Sequence, residues 1–309
     1  MHTENKSPEI LNALNLRKYL KRKSSEHKGD AGKVLLIGGE IGMAGALVLA
    51  GRAALYSGSG WTILKMLDLE SAKIVMDYAE LMVTPSLSSQ TIADQLKNIN
   101  PDVIAIGPGL GLSALAKHWL SSVINYEPPN HQNQQQPTNI PLILDADALN
   151  LIASDSNLLA ELILRNKKNR GLCVLTPHPG EAARLLDIST DQVQGNRAIA
   201  LDNLVQKTGS IIVLKGQHSL IASPEHPPLL CLQGNPGMGS GGMGDVLTGT
   251  IAAIAGQGIR HNLSLWQATC LAVELHSAAA DVLVDKGVGP IGLTPSETIL
   301  EIRELINKN

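Results

Sequence analysis

Six short, predominantly apolar runs, at residues 34–37, 61–67, 103–106, 142–144, 172–175 and 211–214, recur along the chain with helical patterns between most of them. A strand with one wet face alternates apolar and polar residues, whereas a strand covered on both faces reads as a continuous apolar run. Residues 43–56 are rich in alanine and leucine, 114–124 are periodic, and 191–207 run to Gly209, a helix stop. This alternation predicts an α/β fold with a mostly parallel sheet, helices on both faces and right-handed crossovers. Ligands in such a fold sit beyond the carboxyl ends of the strands.

The flanks and interruptions of this pattern are polar. Residues 10–20 have the spacing of a short amphipathic helix, and Lys21-Arg22-Lys23 after them reads as solvated surface. We expect residues 1–27 to form a helical and polar arm and 28–309 one domain. Residues 127–139, glutamine-rich and without an aliphatic side chain, are expected to be a flexible surface insertion within that domain. A net charge of −3 and 2% aromatic residues argue against nucleic acid as a partner. The three scattered cysteines suggest neither a disulfide framework nor a zinc cage. With no apolar leader and no run of about 20 apolar residues, a cytoplasmic protein without a membrane span is expected.

The chemistry is carried by the segments between the runs. Residues 234–245 read Gly-Asn-Pro-Gly-Met-Gly-Ser-Gly-Gly-Met-Gly-Asp and lead into a long apolar helix. Glycines at a helix start expose backbone N–H groups to an anion, and Asp245 stands among them. An anion hole with one carboxylate suits phosphoryl transfer, where a base takes the proton of the attacking hydroxyl. The competing reading is a turn in which Asp245 only caps the helix.

Other run ends are similar. Gly38-Gly39 through Ala46 is glycine-rich, but its spacing departs from a dinucleotide fingerprint, and no acidic residue ends the next run. Gly107-Pro108-Gly109-Leu110-Gly111 follows the third run, and Asp145-Ala146-Asp147 the fourth. The two aspartates either orient a metal's waters or, for Asp147, cap the next helix. His178, between Pro177 and Pro179, is followed by Glu181, which either complements a helix dipole or holds magnesium through water. Lys215-Gly216 ends the last run and either points an ammonium at a phosphate or snorkels to the surface.

Together these motifs, in this order, resemble the ADP-dependent NAD(P)H-hydrate dehydratases of the ribokinase-like superfamily, from about Lys28 to the end of the chain. The resemblance implies a ribokinase-like three-layer α/β/α fold and removal of water from the (6S)-hydrate of NADH or NADPH (NADHX, NADPHX). It also implies ADP as co-substrate and Mg2+. Ala46, Gly109, His178 and Asp245 would then contact the hydrated nucleotide, and Lys215, Gly216, Gln217, His218, Ser219 and Gly244 the adenine nucleotide. Asp245 would be the base, with the N–H groups of Gly242, Met243 and Gly244 facing the transferring phosphoryl. A homo-oligomer is expected, with a separate NAD(P)H-hydrate epimerase acting in the same pathway. A vitamin or sugar kinase of the same superfamily, a nicotinamide-dependent oxidoreductase and a non-enzymatic nucleotide sensor are the competing functions.

Overall fold

The computed structural model describes residues 8–68, 70–85, 90–128 and 140–308. Most of the glutamine-rich insertion, 129–139, lies outside the described residues. Among the described residues the six apolar runs form β2 (Lys33–Gly38), β3 (Trp61–Met66), β5 (Val103–Ile106), β6 (Leu142–Leu144), β7 (Cys173–Leu175) and β8 (Ile211–Leu214). Four further strands, β1 (Glu9–Ile10), β4 (Met82–Pro85), β9 (Leu220–Ser223) and β10 (His226–Leu230), extend the same sheet. The spatial order is β1-β10-β9-β8-β7-β6-β5-β2-β3-β4. Every pair from β4 to β8 is parallel, and β9 and β10 add antiparallel beyond it.

The central strands are buried on both sides, as their composition requires. Val34 and Leu36 of β2 face one apolar cluster with α1 (Ala44–Tyr56), α9 (Met243–His261), α10 (Leu265–Asp285) and α11 (Pro295–Asn307). Leu35 and Ile37 face the other, with α2 (Ile92–Ile99), α3 (Ala114–Ile124), α4 (Asp147–Ser154), α5 (Ser156–Lys168), α6 (Pro179–Leu186), α7 (Thr190–Gly195) and α8 (Arg197–Thr208). Three layers result, α/β/α.

Register then aligns the strand ends. Ile37 pairs with Ile106, Ile106 with Leu144 and Leu144 with Leu175, so Gly38, Gly107, Asp145 and Thr176 leave the sheet side by side. β8 carries its residues further, and the Lys215 N–H donates to the Pro177 carbonyl at 2.9 Å.

Two local expectations differ from the structure. The pattern over 191–207 is two helices, because the Asn196 backbone is not helical (φ −151°, ψ 80°) and its side chain accepts the Ile199 N–H to start α8. In 10–20, Ile10 belongs to β1 and only Leu14–Leu20 is helical, as a 3-10 turn. The buried Glu274 of α10 accepts the Ala13 and Leu14 N–H groups and pins that turn.

α1 and α9 pack closely enough that a Cβ on Gly249 would lie 2.0 Å from the Ala50 carbonyl oxygen. Gly249→Val is therefore expected to destabilise the fold by about 1–3 kcal/mol through overpacking. A lower urea midpoint with an unchanged m value is the expected readout, and an unchanged midpoint would show that the two helices have slack.

Candidate active site

The buried centre of the strand-end cluster is an ion pair. Asp145, 1% exposed, leaves β6 and accepts from Lys215 Nζ at 2.7 Å and from Thr248 Oγ1 of α9 at 2.7 Å. Lys215 Nζ also lies 3.9 Å from Glu181 Oε2. Burial disfavours the ammonium, but Asp145 and then Glu181 outweigh it and hold the Lys215 pKa above its ordinary value. The loop beside the pair needs glycine at 107, where φ is +137° and a Cβ would stand 1.8 Å from the Asp145 carbonyl oxygen.

The glycine-rich loop arrives over this pair. The Asp281 carboxylate of α10 accepts from the Gly234 N–H at 2.8 Å and from Asn235 Nδ2 at 2.9 Å, fixing where the loop begins. Gly242 caps α9 with φ +96°, and a side chain there would meet Leu49 of α1 at 2.6 Å. The N–H groups of the next residues, in the first turn, have no partner within the helix. A Cβ on Gly244 would lie 3.2 Å from Lys215 Nζ and 3.7 Å from Asp145 Oδ2, so the helix start and the ion pair are in contact.

Asp245 therefore stands in the first turn among like charges. Burial pushes its carboxyl up to about 7, Asp145 adds to the rise, and Lys215 opposes it. A helix cap would need a side chain accepting first-turn N–H groups from the cap position. Gly242 holds that position, so the reading of Asp245 as the cap fails. Asp147 likewise is not a cap: as the first residue of α4 it accepts the Gly111 N–H at 2.9 Å and holds the 107–111 loop.

His178 and Glu181 form a reciprocal capping box at the start of α6. Nδ1 of His178 accepts from the Gly180 N–H at 3.0 Å, and Glu181 Oε2 accepts the His178 N–H at 2.8 Å. The two prolines thus position a histidine with a structural role of its own, while half its side chain stays exposed beside the cluster. Burial, then the Lys215 charge, lowers the His178 pKa. Burial raises that of Glu181 against the pull of Lys215.

The remaining predicted residues lie on either side. Gly109 packs on Met43, with its would-be Cβ 2.3 Å from the Met43 carbonyl oxygen, three residues before the half-buried Ala46 in the first turn of α1. On the other side, Gly216, Gln217 and His218 form an exposed loop, and Ser219 returns the chain to β9. Arg197 of α8 gathers that loop by donating to the carbonyls of Gln217, His218 (3.2 Å) and Leu214 (3.0 Å).

Thr248, Arg197, Asp281 and the buried His276 were not evident from the sequence. His276 of α10 is kept neutral, its pKa brought down to about 4 by burial and then by the Lys215 charge. Only Thr248 had a usable signal, three residues after Asp245 and so on the same helix face.

Known proteins resemble this chain in sequence and fold. A family model described as NAD(P)H-hydrate dehydratase matches residues 34–303. The chain is 37% identical over 288 residues to the bifunctional NAD(P)H-hydrate repair enzyme Nnr of Escherichia coli K12, covering 93% of this chain and 50% of that protein. It is 34% identical to the ADP-dependent (S)-NAD(P)H-hydrate dehydratase of Neisseria meningitidis serogroup B, covering 93% and 89%. The crystal structure of an ADP/ATP-dependent NAD(P)H-hydrate dehydratase from Bacillus subtilis, co-crystallized with ATP/Mg2+, superimposes with a TM-score of 0.74 at 25% identity, covering 96% and 97%. The chain spans about half the length of the first of these curated relatives, and the three-layer sandwich is ribokinase-like.

Removing one partner of the central pair strands the other in the interior. Lys215→Met is expected to cost about 3–5 kcal/mol, and adding Asp145→Asn to recover much of that loss. Chemical denaturation of the single and double variants measures the coupling, and additive losses would mean that the pair is not a unit.

Proposed function

The chain belongs to the NAD(P)H-hydrate dehydratase family, and on that premise we propose that it returns the (6S)-hydrates of NADH and NADPH to the reduced dinucleotides at the expense of ADP. The observation that carries this reading is Asp245. Its carboxyl, with a pKa of about 7, stands in the first turn of a glycine-built helix start whose Gly244 lies against the buried Lys215 at the strand ends. A general base works best with a pKa close to the working pH.

Hydroxide leaves carbon poorly, so the hydrate needs a better leaving group. Asp245 accepts the proton of the C6 hydroxyl as its oxygen attacks the terminal phosphorus of ADP, and the bond to AMP breaks. The N–H groups of Gly242 at the cap and of Met243 and Gly244 in the first turn face the charge on the moving phosphoryl, a role in which one lost donor costs about 100- to 1000-fold in rate. Phosphate then leaves C6, driven by the ring nitrogen's lone pair, and loss of the C5 proton restores the dihydronicotinamide. Water is removed overall, and ADP ends as AMP and phosphate.

Lys215 and the Gly216-Gln217-His218-Ser219 loop are assigned to the adenine nucleotide, with Arg197 shaping the loop. Ala46, Gly109 and His178 are assigned to the hydrated nicotinamide nucleotide. No group of three or more His, Cys, Asp or Glu side chains converges as a metal cage among the described residues. The donors near the pair are carboxylates, and those of Asp145 and Glu181 are already engaged by protein hydrogen-bond donors. That set fits Mg2+ held largely through water and phosphate oxygens, with Glu181 assigned to hold it through water. When bound, the ion would neutralise charge on the phosphates.

A homo-oligomer, a cytoplasmic setting and a separate epimerase acting on the same hydrates are parts of the same proposal. A ribokinase-like vitamin or sugar kinase would use the same base and anion hole. A pure nucleotide sensor would need no base. Incubation with NADH hydrate, magnesium and ADP or ATP, followed through the absorbance of regenerated NADH, separates these readings.

Asp245→Asn is expected to keep nucleotide binding and lower turnover at least about 100-fold. Because the active form is the carboxylate, wild-type turnover should rise with pH through about 7 and level off above it. Near-normal turnover in the variant, or a flat profile, would remove Asp245 from the base role. His178→Ala is expected to raise the apparent binding constant for the hydrate and to cost about 1 kcal/mol through the lost cap. Unchanged hydrate affinity with the same loss of stability would leave His178 purely structural.

A further inference from the structure

The sheet end opposite Asp245 holds a second concavity, a cleft of about 810 Å³ between the Leu14–Leu20 turn, α11 and the C-terminal end of α1. Gln257 on its floor lies more than three turns beyond the start of α9, about 20 Å along the helix from the Asp245 site. The walls carry Arg17 and Lys18 of the Leu14–Leu20 turn, Arg22 just after it, Arg303 of α11 and Lys308 just beyond that helix. Among the described residues no carboxylate lines it. The chain as a whole is slightly acidic, so this segregation of cations is not a consequence of composition.

The cleft is built rather than incidental. Arg17 clips its two walls together, donating to the Leu14 carbonyl at 2.9 Å and to the Leu305 carbonyl of α11 at 2.5 Å. Glu274 pins the start of the 3-10 turn from beneath. On the floor, Gln257 Nε2 donates to the Ser57 carbonyl at 2.9 Å, and Arg22 reaches the Gly58 carbonyl at 2.6 Å. Arg303 stands 4.8 Å over the Tyr56 ring. The partners of Arg22 and Arg303 are a carbonyl and a ring, which orient the guanidinium groups without neutralising them, whereas Arg17 also interacts with the Glu274 carboxylate. Lys308 is 3.9 Å from Glu301, a carboxylate that Lys286 already engages. Basic residues near helix ends also complement helix dipoles, which accounts for Arg17 and Lys18. It does not account for positive charge arriving from two separate elements around one hollow.

We propose that this cleft is a second anion site, separate from the Asp245 site, that takes an oligophosphate of nucleotide size. The volume is that of a small-ligand pocket. Several fixed guanidinium and ammonium groups suit a chain of phosphates better than a single carboxylate. The proposal does not depend on the reading of the Asp245 site.

Isothermal titration of the full chain with inorganic tripolyphosphate and, separately, with ATP tests it. Lys18 and Arg303 are exposed, so Lys18→Glu/Arg303→Glu should fold normally, as an unchanged thermal melt would show. Wild-type protein is expected to bind tripolyphosphate and ATP at the cleft, in addition to any ATP at the Asp245 site. The double variant should lose the cleft component by at least about tenfold in affinity and leave any ATP bound elsewhere in place. Lys18→Arg/Arg303→Lys, which conserves charge, should retain the cleft component. Binding of tripolyphosphate as tight as that of ATP would assign recognition to the phosphate chain, and binding of ATP alone would assign it to the whole nucleotide. Binding of tripolyphosphate and ATP that the charge reversal leaves unchanged, or no binding of either, would overturn the proposal.

Discussion

The Asp145–Lys215 pair is the constraint on which the catalytic end of the molecule depends. It joins the ends of β6 and β8 across β7, and Thr248 ties the third corner to α9. Two opposite charges this deep are tolerable only because each meets the other and further hydrogen bonds complete their shells. Everything that touches the proposed reaction hangs from that triangle. The α9 start rests against it through Gly244, the 107–111 loop lies on the Asp145 backbone through Gly107, and Glu181 approaches it from α6.

The same surroundings account for the electrostatics. Burial does most to raise the Asp245 pKa, Asp145, Asp147 and Glu181 add negative charge around it, and Lys215 answers only part of that, so the proton is held to about neutrality. In an open turn the same residue would be an ordinary surface aspartate and a poor base at neutral pH. The base strength is thus a property of parallel strands ending in register, which no single motif contains.

Much of the fold was legible because buried parallel strands leave a strong mark on a sequence. The six apolar runs became the six central strands, and the glycine and acid clusters after them became the candidate site. The outer strands were not legible for physical reasons. β10 contains Pro227 and Pro228, which read as loop, but its register with β9 breaks between His226 and Leu229, where the prolines need no ladder hydrogen bond. β4, at the far edge, is short and partly exposed and so lacks the apolar signature. At the site, motifs named the backbone groups and Asp245, but Lys215 and Asp145 are 70 residues apart, and nothing local says that they meet. Arg197 and Asp281 act on loop carbonyls, amides and a neighbouring side chain, roles that leave no local pattern.

The central claim is that the C6 oxygen of the hydrate leaves as part of phosphate and not as water. Hydrate labelled with 18O at C6 decides this in a single experiment with ADP and magnesium. Attack of that oxygen on phosphorus followed by C–O cleavage predicts that the label is recovered in inorganic phosphate, one atom per turnover. Label recovered in water would mean that the hydroxyl departs without being phosphorylated, and would contradict the roles of Asp245 as base and of the glycine-built helix start as phosphoryl cradle.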